Sequence, residues 1–242
     1  MLEGLYAAAA GMEAQQQQFG AVANDIANVD TPGYQQTIVG FHDLLYSTGG
    51  DGSGVVTGAG SAAQIVGRSQ TQGAIEQTGQ PLDVAIEGDG YLEVRRPDGT
   101  IGLTRNGALA LDAQGRLTNA QGMVLQPPVT LPPGVAPGQV TIAADGVVSA
   151  RAHTLGKLNL VTVPNPDGLT ADGDSLFSAT AASGPLRAAT TATLRQGALE
   201  ASNVDVGTAM TELMRAQEDY AMGSQAFQFQ NQMLQIANQI KP

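Results

Sequence analysis

At 242 residues the chain has room for a core of ordinary size plus extended pieces, in one or two domains. A formal net charge of −11 and an isoelectric point near 4.4 exclude a nucleic-acid binder, because phosphates would be repelled, and the densest basic pair, Arg95-Arg96, sits beside a turn. Absence of cysteine removes disulfides, thiolate metal sites and a cysteine nucleophile, while 14% charged residues with 31 glycines suit either a surface made for packing or a glycine-rich β protein.

No apolar run approaches the roughly 18 residues of a membrane span, so no membrane insertion is expected. The N-terminus lacks the basic and apolar regions of a cleaved signal, so any export would use a route without that signature.

In chain order, Met1, Leu5, Ala8, Met12, Gln15, Phe19, Val22, Ile26 and Val29 step by four and three. That is a heptad seam of about four repeats, roughly 44 Å long at a rise of about 1.5 Å per residue. Ala8 and Gln15 weaken it, as does the run of glutamines from Gln15 to Gln18, so such a helix gains from additional neighbours. It ends at Asn28-Val29-Asp30-Thr31-Pro32-Gly33-Tyr34, where Pro32 disfavours helical geometry at Thr31 and Gly33 is free to take a positive φ. A short apolar piece follows, Ile38 to Tyr46. Gly49 to Gly60, with six glycines, then reads as a flexible loop or hairpin tip.

From about Gly73 the period changes to two. Leu82, Val84 and Ile86 alternate with other residues, and Tyr91–Arg96 and Thr100–Arg105 flank a Pro97-Asp98-Gly99 turn. Leu109, Leu111 and Leu117 continue the pattern, followed by Val140 and Ile142, by Val147-Val148 after Asp145-Gly146, and by a strand over Lys157–Val163. Pro127-Pro128 and Pro132-Pro133 bound a stiff connection, Pro164 to Gly173 is rich in turns, and strands stop near Leu199.

The stretch from Asn203 to Lys241 predicts one long helix, capped by Asn203 or Asp205. One apolar row runs Leu213, Tyr220, Phe227 and Leu234, and a second runs Met222, Ala226, Phe229, Met233, Ile236 and Ile240. Together they cover a face wider than a single coiled-coil seam, so this helix calls for more than one neighbour. The expected fold is α+β: long N- and C-terminal helices pairing as a coiled coil around a central, mostly antiparallel β domain. The expected segments are 1–34, an extended 35–74, a β domain over 75–197 and a helix over 198–242.

These residues carry a resemblance. Asn28 to Tyr34, with Asn28, Thr31, Gly33 and Tyr34, resembles the signature after the first helix of bacterial flagellar rod and hook proteins. Asp83 to Tyr91, with Asp83, Gly88 and Gly90, is similar to their central strand motif, and Thr104-Arg105-Asn106-Gly107 to the strand that follows. Gly197 to Asp205, with Ser202 and Asn203, resembles their entry into the last helix, and Gln232-Met233-Leu234 its end. Length and the single β domain look most like the distal-rod branch, with the proximal-rod branch as close relative. Two departures stand out: the stretch between Tyr46 and Leu82 is short and glycine-rich, and Gly223 stands in the last helix, where it weakens helicity by about 1 kcal/mol relative to alanine.

The resemblance implies a structural subunit exported unfolded through the flagellar export apparatus. It would polymerise with its own copies into a hollow helical shaft of the basal body, against other rod and hook proteins and surrounding ring proteins, without a cofactor. The assembly residues expected are Leu5, Met12, Phe19, Ile26, Leu213, Tyr220, Phe227, Phe229, Met233, Leu234 and Ile236. An ordinary intramolecular core is the competing reading of the same residues, and a surface fibre or adhesin with a ligand-binding β domain is the competing function. Catalysis finds little footing. His42-Asp43 lacks a serine in an elbow motif, and Asp-Gly occurs six times, so Asp89 reads as turn chemistry beside Asp83 and Glu87. Asp172-Gly173-Asp174 lacks the remaining ligands of an EF-type loop.

Overall fold

A computed structural model describes residues 2–44, 47–48, 56–58, 60–151 and 153–240. The chain forms two compact units, one of residues 1–27, 37–66 and 205–242, the other of residues 28–36 and 67–204.

Among the described residues the first unit holds both long helices and four strands. α1 spans Leu2–Ala27, and β1 (Thr37–Asp43), β2 (Ser47–Thr48), β3 (Val56–Thr57) and β4 (Ser61–Arg68) follow it, while α2 spans Val206–Ile240. β1 pairs with β4 and β2 with β3, making two narrow ribbons. Most of the Gly49–Gly60 stretch lies outside the described residues. A two-stranded ribbon is marginal alone, and this one leans on α1: the Thr37 amide donates to the buried Asp25 carboxylate at 3.1 Å, and Gly60 lies so close to Ala7 and Ala10 that a methyl group there would meet them at 3.0 Å.

Of the two proposed caps for α2, Asp205 is the one used. Its Oδ1 accepts the Thr208 amide at 2.7 Å, whereas Asn203 is engaged elsewhere. That backbone hydrogen bond draws the Asp205 carboxyl below its ordinary value of 3.8. A depressed carboxylate stabilises the helix end above its unfolded pKa, and the contribution is lost as pH falls through the folded one. Asp205→Ala is therefore expected to raise hydrogen exchange over the first turn of α2 at neutral pH, and Asp205→Asn to leave it nearly unchanged, since asparagine caps as well. If alanine and asparagine exchange alike, the cap is idle.

The second unit contains strands β5 (Ile75–Gln77), β6 (Val84–Glu87), β7 (Tyr91–Arg95), β8 (Ile101–Thr104), β9 (Leu109–Leu111), β10 (Leu117–Asn119), β11 (Val124–Leu125), β12 (Val140–Ile142), β13 (Val147–Ala150), β14 (His153–Lys157), β15 (Leu160–Thr162), β16 (Thr170–Gly173), β17 (Leu176–Ser178), β18 (Arg187–Ala188), β19 (Thr193–Gln196) and β20 (Ala198–Glu200). The largest sheet runs β16-β17-β8-β7-β11-β10-β9, with β15 pairing β7 and β18. β12-β13-β14 form a three-stranded meander, β19 pairs β6, and β20 pairs β5. These pairings are antiparallel.

The alternation seen in the sequence sets the faces. Val84 and Ile86 on β6, Leu92 and Val94 on β7, and Leu117, Leu125, Val148 and Leu158 form the main core. Tyr91, Leu103, Val161, Val163 and Phe177 form a second cluster, in which the Tyr91 and Phe177 rings meet edge to face at 5.8 Å. The strand expected over Lys157–Val163 is interrupted. The Leu158 amide turns to the Gly146 carbonyl at 2.8 Å, which buries the Leu158 side chain and separates β14 from β15. Pro164–Gly173 holds more order than its turn residues suggest, with a 3-10 turn at Pro166–Gly168 and strand β16.

Candidate functional site

In the first unit, α1 and α2 pack against each other in opposite directions. Gly223 of α2 lies over Met12, so that a methyl group there would meet Met12 Cγ at 3.0 Å, and a groove of about 330 Å³ farther along is lined by Gln15, Phe19, Ala216 and Tyr220. The approach is made through small residues. Ala209 and Ala216 are buried, and with Gly223 they repeat at sevens; Ala14 and Val22 are the buried apolar residues of α1 among the described side chains. Reading only for large apolar residues misses this row, although its heptad spacing was present in the sequence.

The residues expected at the assembly surface separate accordingly. Met12, Ile26, Leu213 and Phe227 are half-buried, and Phe19 and Tyr220 are exposed. Phe229, Met233 and Ile236 expose 63%, 50% and 55% of their surface, and Met210, Met214 and Met222 on the same helix are also exposed. The side chains of Leu5 and Leu234 lie outside the described residues. A run of half-exposed Met, Phe and Ile on one helix is far more apolar surface than scattered single residues would give.

In the second unit the motifs met separately along the sequence converge on one buried ion pair. Arg105 and Glu200 are 3% and 4% exposed and lie 2.8 Å apart. The Arg105 Nε also donates to Glu200 Oε2 at 3.0 Å, and its two terminal nitrogens donate to the carbonyls of Gly90 and Gly88, each at 3.2 Å. Glu200 is held in return: its Oε1 accepts the Gly73 amide at 3.1 Å, and its carbonyl accepts the Gly33 amide at 2.8 Å. The guanidinium lies 5.9 Å from the centre of the Tyr91 ring. Burial pushes the Tyr91 phenol above its ordinary value, against the pull of Arg105.

The remaining motif residues surround this pair. Thr31 Oγ1 donates to Asn28 Oδ1 at 3.2 Å and tightens the turn that brings Gly33 in at φ +68°. Tyr34 lies under the Arg68 guanidinium at 5.3 Å. Asn203 ties three segments, accepting the Gln36 amide at 2.7 Å and donating to the carbonyls of Ser69 and Thr71 at 3.1 and 2.7 Å. Ser202 Oγ accepts the Val204 amide at 3.3 Å. Asp83 accepts the Thr78 hydroxyl at 2.6 Å, so it is absorbed in a strand junction. Neither Arg105 nor Glu200 was singled out from sequence as half of a pair; the signal available was a charged residue inside each of two otherwise apolar or small-residue motifs.

Among the described residues no group of three or more His, Asp or Glu side chains could hold a metal ion. His42 is exposed on β1, and Glu87 is paired with Arg195 at 3.6 Å. No helix is long and apolar enough to cross a membrane among the described residues.

Family models match three stretches: "Flagella basal body rod protein" over residues 5–35, "Flagellar hook protein FlgE/F/G D1 domain" over 85–150, and "Flagellar basal body rod FlgEFG protein C-terminal" over 195–240. The flagellar basal-body rod protein FlgG of Borreliella burgdorferi is 35% identical over 263 aligned residues, covering 100% of this chain and 99% of the relative. The FlgG of Caulobacter vibrioides is 36% identical, covering 99% and 100%, and the FlgF of Escherichia coli 33% identical, covering 83% and 82%. With the motifs in the family's order and joined around one ion pair, the chain belongs to the flagellar basal-body rod protein family, in its FlgG group.

Proposed function

We propose that the chain is a distal-rod subunit of the flagellar basal body and polymerises with its own copies through α1 and α2, paired as a coiled coil, into a hollow shaft that transmits rotation. The observation that carries this is the division of labour on α2. Small residues make the contact with α1, while Met210, Met214, Tyr220, Met222, Phe229, Met233 and Ile236 stay exposed. A helix that satisfied itself within one chain would bury its largest apolar residues first, at about 1.5–3 kcal/mol each. Gln15 Oε1 and Gln230 Oε1 are buried with no hydrogen-bond partner among the described residues, and donors on a neighbouring copy would relieve that cost.

Within the expected segments 1–34 and 198–242, α1 and α2 serve assembly, whereas residues 28–34 and 198–204 belong with 75–197 to the folded body, and the expected connection 35–74 is divided between the two units. The chain is a structural component without an enzymatic activity or a cofactor. Other rod and hook proteins, the export apparatus and the rings around the rod are its partners.

Two measurements test this. Deletion of residues 1–30 is expected to abolish incorporation into basal bodies and motility in complemented cells; motile cells with incorporated subunit would overturn the reading. The triple substitution Phe229→Ser, Met233→Ser and Ile236→Ser should leave the β unit's thermal unfolding unchanged, because no residue of that unit is altered, and reduce motility by at least tenfold. Normal motility of the triple variant would show that this face is not the assembly surface.

A further inference from the structure

Residues 193–204 touch nearly every early part of the second unit. β19 covers β6 in the register Thr193–Glu87 to Gln196–Val84, and Val84, Ala85 and Ile86 are wholly buried. The Gly197 amide donates to the Asp83 carbonyl at 2.8 Å, and its own carbonyl accepts the Thr78 amide at 2.9 Å. β20 pairs with β5, and Ala201 continues the ladder to Ala74 at 2.8 Å. Gln196 Oε1 accepts the Ile142 amide at 3.0 Å, Glu200 holds Gly33, Gly73 and Arg105, and Asn203 holds Gln36, Ser69 and Thr71. These twelve residues thus complete hydrogen bonds for segments that precede them by 50 to 169 positions.

We propose that residues 193–204 are the closing element of the β unit and keep it open until they arrive. Without them Arg105 loses the carboxylate it is paired with, β5 and β6 lose the partner strands that pair with them among the described residues, and the Asn28–Gln36 turn loses the bonds that Glu200 and Asn203 make to Gly33, Tyr34 and Gln36. A chain delivered from its N-terminus presents this segment late. Loop-closure entropy must be met before such distant contacts form, so closure is the slow event. The device therefore delays folding of the body until residues 193–204 are available. Its use for an exported subunit rests on the assembly reading above; the folding order itself does not.

The test is pulsed hydrogen exchange with mass spectrometry during refolding of the full, unassembled chain. Peptides over 73–78, 84–87 and 193–201 are expected to gain protection together in the last phase, after 147–157, whose β13–β14 hairpin is local. Protection of 84–87 in an earlier phase than 193–201 would overturn the proposal. In Glu200→Gln the last phase should slow by about tenfold or more, with the 147–157 phase unchanged; an unchanged last phase would also overturn it. Should Glu200→Gln fail to fold, the order of phases in the natural chain still decides. Because nothing in this measurement involves polymerisation, a failed motility test and a failed folding order remain separate results.

Discussion

Glu200→Leu is expected to lower the stability of the β unit by about 3–5 kcal/mol, the usual effect of removing one partner from a buried ion pair. The size follows from what remains. Arg105 keeps the carbonyls of Gly88 and Gly90 and the Tyr91 ring, but its charge stays 3% exposed with no carboxylate beside it. The Gly73 amide loses its acceptor at the same time. Arg105→Met combined with Glu200→Leu should recover much of the loss, because exchanging both ions for apolar side chains removes the stranded charge. Urea unfolding of the unassembled chain checks both variants. A loss below about 1 kcal/mol for the single change would mean that Arg105 finds another partner or reaches water.

Gly33→Ala is expected to cost about 3 kcal/mol by two separable effects. At φ +68° a side chain meets a backbone penalty of about 1–2 kcal/mol. The added methyl would also stand 2.6 Å from the Arg105 carbonyl carbon and 2.7 Å from the Asn106 nitrogen, and backbone cannot swing aside as the end of a long side chain does. Gly99→Ala is the control, since Gly99 has φ +86° and nothing within 4 Å, so it reports the conformational part alone. If the two alanines cost the same in thermal unfolding, the close approach of Gly33 to Arg105 contributes nothing. Gly107 offers a steric counterpart: a methyl there would fall 1.6 Å from the Val84 carbonyl oxygen.

Both predictions concern the place where three separated motifs meet, and both depend on distances that no local pattern contains. Asn28–Tyr34, Thr104–Gly107 and Gly197–Asn203 are each legible as turn or strand entries. That Gly33 lies on Arg105, and Arg105 on Glu200, 95 positions away, is a statement about closure of the whole unit. Asp205 was legible as a cap because capping is local. Asn203 was not legible as a tie, because its partners at Gln36, Ser69 and Thr71 lie more than a hundred residues away.

The sequence by itself determined the class of the protein: helices at both ends from the seven-residue spacing, a β body from the two-residue alternation, punctuation from Pro and Gly, and the family from motifs in order. Those features are set within a few residues by backbone geometry and side-chain period. Only the tertiary structure decided which apolar row of α2 meets α1 and which stays exposed. Ala216 and Gly223 meet α1 in one chain because small residues let the helices come close, and Phe229, Met233 and Ile236 are left exposed. The tertiary structure alone likewise placed a buried charge pair in the β unit, because such a pair is tolerable only where both partners and their hydrogen bonds arrive together.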